Sequence, residues 1–208
     1  FFHTGVKYST DYIHHLVLFI AFIGGMITSR EKKHLSLSLN LNLRESLKSK
    51  IEIGTAIIAT TISTALCWCS LSFVFTAFDS SQKIGFLSIR IITMVMVVGY
   101  GVMAVRFILR IRDKRRFPLL ALIAFLLGTV IALEPITNIF LALFDKLPEF
   151  VGSLIEFFHS VNGIIAVPVI IILIISAIFG VPIFIVLGGV AYMLFARSGG
   201  VLEVVPNE

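Results

Sequence analysis

An all-α, polytopic transmembrane helical bundle with an interfacial amphipathic helix is the fold this sequence predicts, and three observations predict it. Five apolar runs, at residues 11–28, 51–78, 84–108, 119–144 and 164–195, fill most of the 208 residues. A bilayer core about 30 Å thick needs roughly 20 apolar helical residues, because in lipid a helix satisfies its own backbone polar groups. Eleven of the 17 Lys and Arg crowd into two short segments between the runs. A composition of 58% hydrophobic against 14% charged residues carries more apolar surface than a soluble domain of this size buries.

The basic residues orient the bundle. Arg30, Lys32, Lys33, Arg44, Lys48 and Lys50 lie in 29–50, and Arg110, Arg112, Lys114, Arg115 and Arg116 in 110–116. The positive-inside bias puts both segments on the cytoplasmic face. The segments that alternation places outside, 1–10, 79–83 and 134–162, hold only Lys7, Lys83 and Lys146. The chain therefore starts outside and, five spans later, has Arg197 inside. A net charge of +5 with no aromatic-basic recognition stripe argues against nucleic acid as a partner, and the basic residues read as topology determinants in contact with membrane lipids. Cys67 and Cys69 flank Trp68 inside an apolar run, without metal-ligand spacing, and read as packing residues. The chain opens at Phe1 with neither a basic n-region nor a cleavage pattern, so it is expected to be a fragment.

Along the chain, the first run ends at Gly24-Gly25, where small residues allow close helix approach, and passes into the basic segment containing Arg30 and His34. Residues 35–43 alternate Leu with Ser or Asn, formally a strand pattern. A lone strand at a membrane surface has no partner for its edges, whereas a helix sets Leu35, Leu39, Leu43, Leu47 and Ile51 at i+4 steps, so 35–48 is expected to be an interfacial helix. Runs 51–78 and 84–108 are joined by five residues, which makes them a tight antiparallel hairpin. Arg90 lies about two turns into the second, near enough to the outer interface to snorkel. In 119–144, Glu134-Pro135 marks a kink or an exit, and 136–158, with Asn138, Asp145, Lys146, Pro148, Glu149 and Glu156, reads as an amphipathic stretch on the outer surface. The last run, 164–197, would reach about 51 Å as a straight helix. Gly180-Val181-Pro182 supplies a break, and one long kinked helix is favoured over two short ones, starting outside at Asn162 and ending inside at Arg197.

The stretch from Phe19 through Gly24, Arg30 and His34 to Leu35 resembles the second transmembrane helix of the small membrane subunit of TRAP (tripartite ATP-independent periplasmic) transporters. There an apolar helix ends in Gly and small residues, then a basic patch, then a His that opens a surface helix. Far downstream, Ile178-Phe-Gly180-Val-Pro182 through Gly188-Gly189 to Phe195, then Val204-Val-Pro206-Asn-Glu208, is similar to the opening of the large subunit of that family. The resemblance implies a fused protein: 1–112 as scaffold helices of the small subunit, 113–163 as a connecting transmembrane helix and periplasmic surface stretch, and 164–208 as the first helix of the large transport subunit. It further implies a multi-pass protein of the bacterial inner membrane in a sodium-driven secondary transporter that takes up organic acids, carboxylates with sialic acid among them, from a periplasmic substrate-binding protein. This part would act as scaffold beside the remainder of the large subunit. Two departures go with it, an absent helix before Phe1 and an absent continuation after Glu208, and with the latter the sodium and substrate sites, so no cofactor is expected in these residues.

Other chemistry is weakly signalled. A haem-binding membrane anchor of a respiratory oxidoreductase would need two imidazoles facing one another at one depth, and His14 or His15 with His159 is the available pair. An accessory subunit of another importer is the further alternative. Arg90, Glu134 and Glu52 lie at or near span ends and read as interfacial anchors. Gly99-Tyr100-Gly101 within a helix points to close packing rather than nucleotide binding. No nucleophile-base pair, phosphate loop or metal cluster is visible, so no catalytic residues are assigned and the chain is not expected to be an enzyme.

Overall fold

A computed structural model describes residues 9–30, 45–78, 81–84, 87–112, 118–144, 149–198 and Val205. Among them are seven α-helices: α1 (Ser9–Arg30), α2 (Glu45–Thr76), α3 (Ile89–Arg112), α4 (Pro118–Ile131), α5 (Leu133–Phe144), α6 (Glu149–Ile178) and α7 (Ile183–Ser198). The helix α2 is the centre of the bundle: α3, α4, α5 and α7 all pack on it, while α1 packs on α3 and α6 on α7. The fold is an all-α helical membrane protein, with apolar side chains on its outer surface as well as in its core. Ile13, Leu16 and Ile20 of α1, Leu119 and Leu126 of α4 and Ile171 and Ile174 of α6 are exposed, while Thr60, Ser63, Thr64, Ser70, Ser72, Thr93 and Ser176 are buried. That is the arrangement lipid favours, since helices in a bilayer associate through close packing of small residues and not by hiding apolar surface from water.

Among the described residues, Ser49–Thr76 and Ile89–Ile111 are long and apolar enough to cross a membrane, and Pro118–Ile131 with Leu133–Phe144 makes a third if that bent pair is one span. Tyr12–Ile27, Ile164–Ile178 and Ile183–Ser198 are shorter apolar helices among the described residues. The antiparallel pairing of the second and third runs holds, but the connection is longer than expected. The helix α3 begins at Ile89, and before it β1 (Lys83–Ile84) pairs antiparallel with β2 (Leu87–Ser88), Lys83 opposite Ser88 and Ile84 opposite Leu87. Apolar content alone does not separate a short extended pair from the first turn of a helix. Of the stretch expected as an interfacial helix, 35–44 lies outside the described residues, and Leu47 and Lys48 fall in the opening of α2.

The second half is divided differently from what was expected. Residues 136–158 do not form one element: most of the first part is α5, packed on α2, and the last part opens the 30-residue α6, which runs on into the apolar segment with Pro168 inside it. The 164–195 run is not a single kinked helix either. The chain stops at Gly180, whose φ of 105° is open to glycine and strained for other residues. The Val181 N–H donates to Ser176 O at 3.1 Å and the Gly180 N–H to Ala177 O at 3.2 Å, the paired bonds of a Schellman end. Pro182 then opens α7, its carbonyl accepting from the N–H groups of Ile185 and Val186 at 3.0 and 3.2 Å. A Cβ on Gly189 would lie 3.0 Å from Leu173 Cδ1. In a straight helix those residues would stand about 24 Å apart, so α7 folds back along α6. The return carries Arg197 back along α6 instead of on beyond it.

Candidate functional site

The chain's distinctive chemistry is a set of glycine-mediated helix contacts and a few long-range caps on helix ends. Two buried hydroxyls of α2 bond back to their own helix, Thr60 Oγ1 donating to Ala56 O at 2.8 Å and Ser70 Oγ to Leu66 O at 2.7 Å, whereas those of Ser63 and Thr64 are buried without a hydrogen-bond partner. Thr61 instead donates across to Ala124 O of α4 at 3.2 Å. One turn further, a Cβ on Gly128 would stand 2.5 Å from Thr61 O and 2.7 Å from Thr64 Cβ. The α4 backbone therefore lies against α2 with no room for a side chain between them.

The α7 glycines repeat the device. A Cβ on Gly188 would meet Leu66 Cδ1 at 2.7 Å, and one on Gly189 would meet Ile62 Cδ1 at 3.2 Å. Between α1 and α3 the close approach belongs to Gly99, where a Cβ would collide with Phe22 Cδ1. Phe22 also meets the Tyr100 ring edge-on, centroids 5.0 Å apart. Packing, then, is the role of the Gly99-Tyr100-Gly101 segment. The Gly24-Gly25 pair contributes less than expected: Gly25 makes ordinary contact with Met103 Sδ at 3.6 Å, and nothing would meet a Cβ on Gly24 within 4 Å.

Arginines close two helix ends, where the last carbonyls have no intrahelical donor. Arg90 donates from Nε to Phe78 O at 2.9 Å and from Nη2 to Phe75 O at 3.3 Å, so its guanidinium caps α2 as well as lying near that end of the bundle. At the opposite end, Arg106 of α3 donates to Met26 O and, at 3.0 Å, to Ser29 Oγ, tying down the last turns of α1. The helices α4 and α5 are bent by 62° at the break between them. There the Tyr192 hydroxyl of α7 donates to Ile131 O at 2.6 Å.

Of the residues singled out from sequence, the structure brings Gly188 and Gly189 against α2, gives Gly180 and Pro182 to the α6–α7 turn, Arg90 to the α2 cap, and Glu134, half-buried, to the first turn of α5. Arg30 is the last residue of α1, its side chain outside the described set, and His34 lies outside the described residues. Glu52 is exposed near the start of α2. For the haem pairing, His14 is exposed and His15 half-buried, while the side chain of His159 lies outside the described set. No group of three or more His, Cys, Asp and Glu that could hold a metal occurs among the described residues.

Three contributors were not evident from sequence reasoning: Gly128, Arg106 and Tyr192. A signal for Gly128 exists. Ala121, Ala124, Gly128 and Ala132 are buried and recur at three- and four-residue steps on one face of an otherwise large-residue helix, the small-residue stripe of a lipid-embedded contact.

The arrangement is one of close helix packing, tightest where Gly128 meets the Thr61 backbone oxygen. The family described as Tripartite ATP-independent periplasmic transporters, DctQ component, matches residues 1–117, the part that contains α1 to α3. No curated protein and no solved structure matches the chain.

Proposed function

The chain belongs to the DctQ component family of the tripartite ATP-independent periplasmic transporters, and from that membership we propose that it is the fixed membrane scaffold of a sodium-driven organic-acid uptake system. As a DctQ-family chain it is a membrane component of a transporter. The finer reading is that a periplasmic binding protein delivers a carboxylate substrate, and that a large membrane subunit carries it across the inner membrane with sodium. Residues 1–112 are the small-subunit scaffold helices, 113–163 connect them to the large subunit, and 164–208 begin that subunit with the apolar part of α6 and with α7, which stay fixed on the scaffold while the rest of the subunit moves.

The observation that supports the scaffold role is the close packing on α2, where Gly128 lies against the Thr61 backbone oxygen and Gly188-Gly189 lie under the side-chain ends of Leu66 and Ile62. A side chain at Gly128 would meet backbone, which fixes how α4 seats on α2. Neither ion nor substrate is assigned to these residues.

The test is transport by the complete system in proteoliposomes. Uptake of an organic acid is expected only with both the binding protein and an inward sodium gradient. Uptake that proceeds without either one would overturn the reading, and a Soret band in the purified protein would favour the haem-anchor alternative.

A further inference from the structure

Pro135 has no backbone N–H, so the carbonyl of Ile131, four residues earlier, lacks the donor that a continuous helix supplies. Its neighbours across the break keep theirs: the Ala132 N–H donates to Gly128 O at 3.2 Å and the Ile136 N–H to Ala132 O at 3.1 Å. Ile131 O accepts instead from the Tyr192 hydroxyl, at 2.6 Å and from 61 residues along the chain. Tyr192 is 1% exposed, and a phenol buried that far needs a partner for its hydroxyl.

We propose that Pro135 and Tyr192 are a matched pair, one breaking the helix and the other replacing the donor that the break removes, so that the α6–α7 hairpin latches the α4–α5 elbow in its bent form. If the hairpin withdrew, Ile131 O would be left unpaired in apolar surroundings, which is costly. Straightening the elbow does not repair the loss, because Pro135 still has no hydrogen to donate. Hairpin and elbow therefore stay together as one body.

The test reads stability and geometry in the purified chain, so its outcome is independent of whether the protein transports anything. Tyr192→Phe removes the hydroxyl alone and is expected to lower the melting temperature by about 2–4 °C, the shift that one lost hydrogen bond gives in a chain of this size. Pro135→Ala restores a backbone donor and is expected to recover most of that loss in the Tyr192→Phe background. Spin labels at the exposed positions Leu122 and Phe144 should move apart in the double variant as the elbow closes into a straighter helix. An unchanged melting temperature in Tyr192→Phe, or a loss of the same size with and without Pro135, would overturn the latch.

Discussion

Gly128→Leu is expected to part α4 from α2 and to remove most of the folded protein from detergent extracts. The new side chain has no rotamer that avoids the clash, because its Cβ would already stand 2.5 Å from a backbone oxygen, Thr61 O, and 2.7 Å from Thr64 Cβ. Overpacking in a closed interior costs about 1–3 kcal/mol when side chains can yield, and here the obstacle is backbone, so the cost falls at or above the top of that range. The Thr61 to Ala124 bond, which crosses the same contact, is lost with it. Gly128→Ala should be intermediate. Gly24→Ala, with nothing within 4 Å of the added carbon, should leave the yield unchanged. Size-exclusion profiles and thermal unfolding of the three variants check the order.

The second large effect is expected at Gly99. Any side chain there runs into the Phe22 ring, and α1 depends on α3 for its packing. Gly99→Leu should therefore release the outer half of α1 while Arg106 still holds Met26 O and Ser29 at the other end. Replacing Phe22 with Ala empties the space that the new side chain needs. The double variant should then be less destabilised than the two single losses added together, by a coupling of about 0.5–3 kcal/mol. Simple additivity would mean that Phe22 and Gly99 do not share the contact.

How much of this was legible in the sequence follows from the length scale of each signal. The three helices α1 to α3 and their up-and-down order show in long apolar runs and in the clustering of Arg and Lys, which are properties of whole segments. The position of the break at Gly180-Val181-Pro182 was legible too, but its sense was not. A Gly and a Pro two apart suit a kink and a hairpin equally, and what decides between them is the contact of Leu173 with Gly189, a tertiary fact. The same limit hid Tyr192, whose partner Ile131 is set by folding. Gly128 was legible in principle, through the alanine stripe it belongs to, and was masked by the uniform apolarity of the run around it. The division of 136–158 between α5 and α6 was not legible, because scattered polar residues do not say where one helix ends and the next begins.

The scaffold role is tested most directly by pinning α7 to α2 and measuring transport. With Cys67 and Cys69 replaced by Ala, Leu66→Cys and Gly188→Cys place two thiols where Leu66 Cδ1 now sits 2.7 Å from the position of a Gly188 Cβ, and the smaller side chain at 66 relieves the clash. The pair should cross-link on oxidation. If these helices are one fixed body, sodium-driven uptake by the complete transporter in proteoliposomes is the same before and after cross-linking. Uptake that is abolished by oxidation and restored by a reductant would show that α7 moves against α2, and the scaffold would then have to end before it.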